Sequence, residues 1–490
     1  MLHKMLLPLA LLLAGTAVPG AGIDNSDLIP AILPDSEVRL EAVPGRSPAS
    51  PDWVKSLIIV EVNVETASPT GNFSGMEKVL DHLAETGVNG IWLTPINEGV
   101  QYGNNGVHTL NRALTNRDKA EERWAVVKQF VDAAHRRNIR VFFDVVSWGV
   151  TKDAPLYREK PEWFKGALPA YNGWEWNWKN PELREWFTSR LVEFLLVTGA
   201  DGFRCDSSPG YAGYGPFREA RKRLLDFGRK VIFLSEHPSE RRGVFDFDQL
   251  SFMYDGGNTG TRFPCRIFMQ ENIVGLIKSG RRLGNVDSQF NGGKVNLDGG
   301  RERFYSFPLS NHDNRQPQPP FSAVEFGYQA LFSPLIPIWY LGAEWRNPVD
   351  GKGWSWDLPV RWDLLDDEQE FFELVKRMIR IRRSYPEIFE YFPASLRDAN
   401  ICKVETDRPE ELQAYARYRN GKAILIVPNN RKEPATFRIS IPYREARIAG
   451  DGIAVTDLLN DRRLASGRPD SFSVEIPAET PGVYLIAPER

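Results

Sequence analysis

The stretch LVEFLLVTGADGFRCD, residues 191–206, passes from an apolar helical segment through Gly199 into a short strand that ends in charged residues. Asn180 is a plausible N-cap of this helix, Pro181 stands at its first position, and the helix is expected to stop at Gly199. A helix followed at once by a buried strand is typical of a parallel sheet, in which helices connect the strands.

The same alternation extends over residues 51 to 390, where segments rich in Val, Ile and Phe alternate with amphipathic helical segments. The predicted strands are 56–64, 88–95, 139–146, 201–206, 230–236, 251–256, 303–313 and 335–342, and predicted helices include 76–87, 124–138 and 180–199. Strands and helices in this number favour a (β/α)8 TIM barrel over the alternative, a doubly wound open sheet. The barrel would cover residues 52–390, with a short insertion after the third strand at 147–179.

The pattern changes to alternating strands after residue 390. Asn420-Gly421 joins two alternating segments within 413–430, which is the strongest short-range signal of a hairpin. Similar segments follow at 437–442, 471–477 and 482–488. Residues 391–490 are therefore predicted to form a small C-terminal antiparallel β domain, a β-sandwich.

The N-terminus has the pattern of a cleavable signal peptide over residues 1–21. Lys4 precedes a short apolar core at 5–15, and small residues then allow cleavage after Ala17 or Ala21. Residues 22–51 are predicted to be an extended lead-in. No later stretch reaches the roughly 18 consecutive apolar residues of a membrane span, so a secreted or periplasmic protein is expected.

Charge and cysteine content narrow the classes of partner. Sixty-one basic and 64 acidic residues give a net charge of −3, which offers no bulk attraction for nucleic acid or an anionic membrane. The odd number of cysteines, Cys205, Cys265 and Cys402, leaves at least one thiol unpaired, and a Cys265–Cys402 disulfide remains open. The chain has no CxxC, which argues against a thiolate zinc site.

Acidic residues end four of the predicted strands. Residues with reactive side chains at these ends are Asp144, Arg204, Asp206, Glu236, His237, Asn311, His312 and Asp313. In a barrel the C-terminal ends of the strands meet at one rim, which is where active sites lie. Arg204 and Asp206 are two residues apart in a strand and so share one face, either as a structural ion pair or for chemistry. Four carboxylates at one rim favour chemistry.

Several kinds of active site do not fit this set. The six histidines form neither HxH nor HExxH, and no G-x-S-x-G stands out for a serine nucleophile. Glycoside hydrolysis instead needs two carboxylates, of which the nucleophile must stay ionised. Arg204, beside Asp206, would keep that carboxylate charged. The residues therefore favour a glycosidase with Asp206 as nucleophile.

The segments GFRCD (202–206), FLSEH (233–237) and SNHDN (310–314) resemble, in order and spacing, the conserved regions of glycoside hydrolase family 13, the α-amylase family. VNGIWLTPI (88–96) and IPIWYLGAE (336–344) resemble its second and eighth strands. The resemblance implies a retaining enzyme that acts on α-linked oligo- or polysaccharides without a cofactor. By resemblance, Asp206 is the nucleophile, Glu236 the general acid/base and Asp313 the third carboxylate. Arg204 and His312 would bind the same sugar.

The chain departs from the family pattern after Asp144. Where the family has Asn-His, this sequence has Trp148-Gly149. Because that Asn often helps to hold calcium and that His binds the sugar, we expect no calcium at the usual position and a substrate other than plain starch. A transglycosylase with the same three carboxylates and a non-catalytic sugar-binding homologue are the alternative functions. In WEWNW (174–178), the tryptophans could form a sugar-stacking platform or pack in the core.

Overall fold

The computed structural model describes residues 51–100, 102–104, 106–107, 109–206, 214–235, 247–249, 274, 304–312, 320–348, 357–391, 399–408 and 412–489. The predicted signal peptide, the lead-in before residue 51, Glu236, His237, Asp313 and Cys265 lie outside these residues. The chain divides into two compact units, and the predicted domain boundaries remain predictions. Of the described residues, the first unit holds those in Val62–Glu85 and Asn89–Asp246, and the second those in Asp52–Glu61, Thr86–Val88 and Phe247–Arg490.

The strands up to residue 340 are β1 (Ile59–Val62), β2 (Gly90–Leu93), β3 (Gly99–Val100), β4 (Gly103–Asn104), β5 (Arg140–Val146), β6 (Gly149–Thr151), β7 (Phe164–Leu168), β8 (Gly173–Trp176), β9 (Gly202–Asp206), β10 (Ile232–Ser235), β11 (Phe247–Gln249), β12 (Phe304–Pro308) and β13 (Ile336–Tyr340). In the first unit β2, β5, β9 and β10 pair in parallel in that order. In the second unit the parallel order is β1, β13, β12 and β11.

Each unit thus contributes a parallel sheet of four strands, eight in all, as a (β/α)8 barrel requires, and the predicted fold class is confirmed. One strand differs from its prediction. The sixth barrel strand is β11, at Phe247–Gln249, ahead of the predicted 251–256, which falls outside the described residues.

The helices of these units are α1 (Met76–Thr86), α2 (Arg112–Thr115), α3 (Ala120–His135), α4 (Pro155–Glu159), α5 (Pro181–Thr198), α6 (Tyr214–Asp226), α7 (Gln369–Ser384) and α8 (Pro386–Phe389), with a π-helix at Glu325–Leu331. Asn180 caps α5 by accepting the backbone N–H groups of Glu182 and Leu183, at 2.9 and 3.1 Å. Gly199 ends that helix at φ 78°, a left-handed conformation that glycine adopts without strain. Among the described residues no helix is long and apolar enough to cross a bilayer.

Asp201 ties the beginnings of β5 and β9 together in the first unit. Its carboxylate contacts His135 Nε2, Arg140 Nη1 and the Val141 backbone N–H, each at 2.8 Å. Burial alone would raise the pKa of Asp201, but the His135 ring and the Arg140 guanidinium outweigh it and lower the pKa to about 2. The carboxylate is therefore charged, and its contacts hold β5 and β9 together at their N-terminal ends. The same pairing places the residues at the C-terminal ends of the two strands side by side.

The insertion after β5 forms a small antiparallel sheet in the order β6-β8-β7. Gly149 pairs with Glu175, and Trp176 pairs with Phe164. Trp176 is buried against the rings of Phe164 and Phe187. The inserted segment, residues 147–179, is thus packed through Trp176 onto α5.

The C-terminal strands are β14 (Ile401–Lys403), β15 (Tyr415–Arg419), β16 (Lys422–Asn429), β17 (Ala435–Ser440), β18 (Ile453–Asp457), β19 (Arg462–Ala465), β20 (Ser471–Ile476) and β21 (Thr480–Pro488). They form a six-stranded sheet, β14-β15-β16-β21-β18-β19, and a two-stranded sheet, β17-β20. Both sheets contribute to one apolar core, which includes Leu425, Phe437 and Val474. Asn420 and Gly421 turn between β15 and β16 with φ of 51° and 72°, as a type I′ turn requires. The predicted C-terminal antiparallel β domain is confirmed.

Candidate active site

Three charged side chains meet at the C-terminal ends of β5 and β9 in the first unit. The parallel register places Asp144 beside Arg204 and Val146 beside Asp206. Arg204 and Asp206 lie on one face of β9, while Cys205 points to the other, as strand alternation requires. Burial raises the pKa of the Cys205 thiol, which makes Cys205 a core residue and not a nucleophile.

Arg204 is the shared counter-ion of the two carboxylates. Its Nη1 lies 2.9 Å from Asp206 Oδ1 and 3.0 Å from Asp144 Oδ2. The side chains of Asp144 and Asp206 are 0% and 9% exposed, so Asp206 is the carboxylate with access to solvent. A guanidinium at this distance favours the charged form of both acids.

Two aromatic residues complete the surroundings of Asp144. Trp92 Nε1 and the Tyr102 hydroxyl donate to Asp144 Oδ2 at 3.1 and 2.9 Å. The Arg204 guanidinium lies 4.8 Å from the Trp92 ring centre and 5.8 Å from that of Tyr102. Asp144 is thus enclosed by donors, whereas Asp206 combines its contact with Arg204 with some access to solvent.

Sequence reasoning missed both aromatic residues. Trp92 lies inside a predicted strand, where an aromatic residue is expected to be part of the apolar core. The available signal was its indole N–H, which needs a hydrogen-bond acceptor when the ring is buried. Tyr102 was not distinguishable within YGNNGVHTLN (102–111). Its backbone has φ 55°, an unusual value for a bulky residue and one that is typical of functional loops.

The positions of the family's Asn-His are filled differently here. Ser147 Oγ donates to the Asp206 carbonyl at 2.6 Å, which joins this segment to the end of β9. Trp148 is buried and stacks on Tyr171, with ring centres 4.7 Å apart. An indole offers no oxygen and glycine has no side chain, so neither position supplies the side-chain oxygen that the family's Asn would offer to a calcium ion.

Gly149 leaves no room for a side chain. A Cβ at this residue would lie 1.9 Å from the carbonyl oxygen of Trp174, because β6 and β8 pair there. The missing histidine is thus a consequence of the inserted sheet, whose backbone takes up the space.

The structure places two tryptophans of WEWNW (174–178) differently with respect to the two predicted roles, sugar stacking and core packing. Trp176 is 1% exposed and belongs to the core. Trp174 is partly exposed but is covered by Tyr157, whose ring lies parallel at 3.9 Å. Tyr171 is 44% exposed, so it is a better candidate for stacking against a sugar.

His312 and Glu61 form a separate polar pair in the second unit. His312 follows β12, and Glu61 is a fully buried residue within β1. The backbone N–H of His312 donates to Glu61 Oε2 at 3.2 Å, and His312 Nδ1 contacts Glu61 Oε1. Sequence reasoning also missed Glu61. Its signal was a carboxylate inside the otherwise apolar segment SLIIVEVNV (56–64), because a buried acidic residue needs a partner. Because Glu236 and Asp313 lie outside the described residues, the roles of all three catalytic carboxylates remain predictions.

No family model matches the chain. The α-amylase MalA of Haloarcula japonica is 26% identical over 453 residues, which cover 83% of this chain and 61% of that protein. A cyclomaltodextrinase of a Bacillus species is 22% identical, with 82% of this chain and 77% of that protein covered. The resemblance to the α-amylase family is confirmed.

Solved structures of this family have the same fold. The maltogenic α-amylase AmyB of Thermotoga neapolitana aligns with a TM-score of 0.64 at 20% identity, over 89% of this chain and 100% of that chain. The α-amylase of Geobacillus thermoleovorans, solved with acarbose, aligns with a TM-score of 0.64 at 17% identity, over 89% and 99% of the two chains. The curated relatives are named as an α-amylase, a cyclomaltodextrinase and a neopullulanase, which supports the prediction of a glycoside hydrolase. The chain spans less than two thirds of the length of the first and third of these relatives, at 61% and 64%.

Proposed function

We propose that this α-amylase-family chain is an exported, retaining glycosidase that hydrolyses α-glucosidic bonds in oligo- or polysaccharides. The observation that supports this most directly is the contact of Arg204 Nη1 with Asp206 at 2.9 Å. It keeps a partly accessible carboxylate charged, as a nucleophile requires. The names of the relatives, which include α-amylase, cyclomaltodextrinase and neopullulanase, support α-linked glucans as substrates.

The reaction would proceed in two displacements. The Asp206 carboxylate attacks the anomeric carbon while Glu236 gives its proton to the departing oxygen, so the glycosidic bond breaks as the glycosyl–Asp206 ester forms. Glu236 then takes a proton from water, whose oxygen attacks the anomeric carbon and releases Asp206. Asp313 and His312 would hold the hydroxyls of the same sugar, and Arg204 would keep Asp206 ionised and oriented.

Asp144 has a supporting part in this scheme. Its carboxylate accepts from Trp92, Tyr102 and Arg204, so it has no free direction in which to attack a substrate. It holds the guanidinium at the end of β5 so that the same Nη1 reaches Asp206. The nucleophile is therefore positioned through a chain of three charged groups.

Substitution of Asp206 by Asn tests the assignment. Asp206→Asn keeps the side-chain shape and an acceptor for Arg204, so we expect a folded protein with at least about a 1,000-fold loss in turnover of maltooligosaccharides. The first product of the wild-type enzyme should be the α-anomer when followed by proton NMR. Release of the β-anomer, or an active Asp206→Asn protein, would contradict the nucleophile assignment.

A transglycosylase is the second candidate function. Proteins named trehalose synthase/amylase, from Mycobacterium tuberculosis, are 26% identical over 208 residues, which cover 33% of this chain. Water and an acceptor sugar would compete for the same glycosyl–Asp206 intermediate. Incubation with maltose and chromatography of the products separates the two functions: glucose alone indicates hydrolysis, and a new disaccharide or longer oligosaccharides indicate transfer.

Export is proposed from the N-terminal pattern. Expression of the full chain in a bacterial host, followed by N-terminal sequencing of the protein found outside the cytoplasm, should show a start at Val18 or Gly22. Retention of uncleaved protein in the cytoplasm would contradict this part of the proposal.

A further inference from the structure

We propose that Glu61 is a positioning residue that holds a proton on Nδ1 of His312 and fixes the orientation of its ring. The inference deepens the proposed function, because His312 is expected to bind the sugar at the cleavage point. Glu61 itself lies within a barrel strand and is 0% exposed. It would act on the substrate only through His312.

The geometry of the pair sets the direction of the hydrogen bonds. The backbone N–H of His312 is a donor in every state, and it donates to Glu61 Oε2 at 3.2 Å. The other carboxylate oxygen, Oε1, contacts His312 Nδ1. An ionised carboxylate has only acceptors, so Nδ1 must carry the proton that is shared between the two groups.

Both partners are held by their backbones. Glu61 pairs with Tyr340 in the parallel register of β1 and β13, and its carbonyl accepts the Leu341 N–H at 2.9 Å. The segment before His312 is anchored to β13 by the Leu309 N–H, which donates to the Ile338 carbonyl at 2.7 Å. The Glu61 carboxylate thus projects from a paired strand toward a segment that is anchored to the neighbouring strand, and we expect the ring of His312 to have one favoured orientation.

Two bonds to two different oxygens make a carboxylate necessary. A glutamine at position 61 has an acceptor oxygen in only one of the two places that the carboxylate oxygens occupy, so in the same position it cannot accept from both the backbone N–H and Nδ1. With the amide oxygen on the backbone N–H, the amide NH2 would face Nδ1, and the ring would move its proton to Nε2. Glu61→Gln should therefore reverse the tautomer of His312.

Glu344 offers a matched control. It is also a fully buried carboxylate that accepts one ring N–H and one backbone N–H, from Trp339 and Gly342, at 2.9 and 3.0 Å. Both of these bonds end on the same oxygen, Oε2, so a glutamine can keep both. Glu344→Gln should leave the tautomer of His312 unchanged.

The tautomer is measured by two-bond 1H–15N correlation spectra of protein labelled with 15N-histidine. The six histidines give a countable set of signals, and His312→Asn identifies those of His312. At about pH 8, where an unperturbed imidazole is neutral, we expect a protonated Nδ1 in the wild type and a bare Nδ1 in Glu61→Gln. A bare Nδ1 in the wild type, or a protonated Nδ1 that survives Glu61→Gln, would overturn the proposal.

A double-mutant cycle tests the link to the substrate. Glu61→Gln should lower kcat/KM for a maltooligosaccharide by about 10- to 100-fold, the size of one charge-assisted hydrogen bond. In a His312→Asn background the same change should cost less than about twofold, since its effect passes through the ring. Equal losses in both backgrounds would mean a structural role only. Absence of activity in the wild type would refute the proposed function, while the NMR result would still decide the tautomer.

Discussion

Replacement of Gly149 by Ala or His should disrupt the inserted sheet and should not restore the family's histidine. The Cβ of either residue would lie 1.9 Å from the Trp174 carbonyl oxygen and 2.8 Å from the carbonyl carbon, where ordinary contacts are 3.4–4 Å. These atoms belong to the backbone of β8, so no side-chain rotation can relieve the overlap. The strand must move away by more than an ångström.

The cost follows from what that movement breaks. Three residue pairs, from Gly149↔Glu175 to Thr151↔Gly173, join β6 to β8. Overpacking costs about 1–3 kcal/mol when side chains can adjust, so about 3 kcal/mol or more is expected against a backbone. Gly149→Ala should thus lower the urea midpoint of unfolding clearly, and Gly149→His should lower it further without a gain in kcat/KM.

Gly452 provides the control for the loss of a glycine. A Cβ there has Glu489 Cβ as its nearest neighbour, at 3.9 Å. Gly452→Ala should be neutral or stabilising by about 0.4–1 kcal/mol. If Gly149→Ala were as stable as Gly452→Ala, the space at position 149 would be open, and the explanation for the missing histidine would be wrong.

Two further predictions concern the first unit. The fold lowers the pKa of Asp201 from 3.8 to about 2, so the charge of Asp201 stabilises the fold above pH 3.8, and this stabilisation is lost as the pH falls through 2. Asp201→Asn should lower the free energy of unfolding at pH 7 by about 2 kcal/mol or more, measured by urea denaturation. The assignment would be contradicted if the difference in unfolding free energy between wild type and Asp201→Asn did not narrow between pH 5 and pH 2. Tyr171→Ala removes the exposed tyrosine ring and uncovers Trp148. KM for long maltooligosaccharides should therefore rise by about 2- to 10-fold, while KM for maltose changes less. An equal rise in KM for both substrates would exclude a role of Tyr171 in binding the longer chain.

Features that depend on local chemistry were readable in the sequence. The ends of α5 follow from Asn180 and Gly199, whose backbone and capping preferences do not need the rest of the fold. The turn at Asn420-Gly421 follows in the same way, because few other pairs accept two positive φ angles. Arg204 and Asp206 share a face by strand periodicity alone.

Features that depend on distant neighbours were not readable. Tyr102 reaches Asp144 across 42 residues, and Glu61 reaches His312 across 251. No local preference encodes such a contact, and only the barrel topology brings strand ends of this separation together. The occupied space at Gly149 has the same origin, since it depends on how β8 returns to pair with β6.

The division of donors around Arg204 explains how the chain can lose Asn-His and still position a nucleophile. Asp144 is held by Trp92, Tyr102 and Arg204, and none of these contacts involves position 148 or 149. The Arg204–Asp206 contact therefore depends on the register of β5 and β9, which Asp201 secures at the other end of the strands. Under the proposed function, substitutions at the family's Asn-His positions would act on the space around the substrate and would leave the Arg204–Asp206 contact in place. We therefore expect substrate specificity and activation of the proposed nucleophile to depend on separate sets of contacts, so that the first can change while the second is retained.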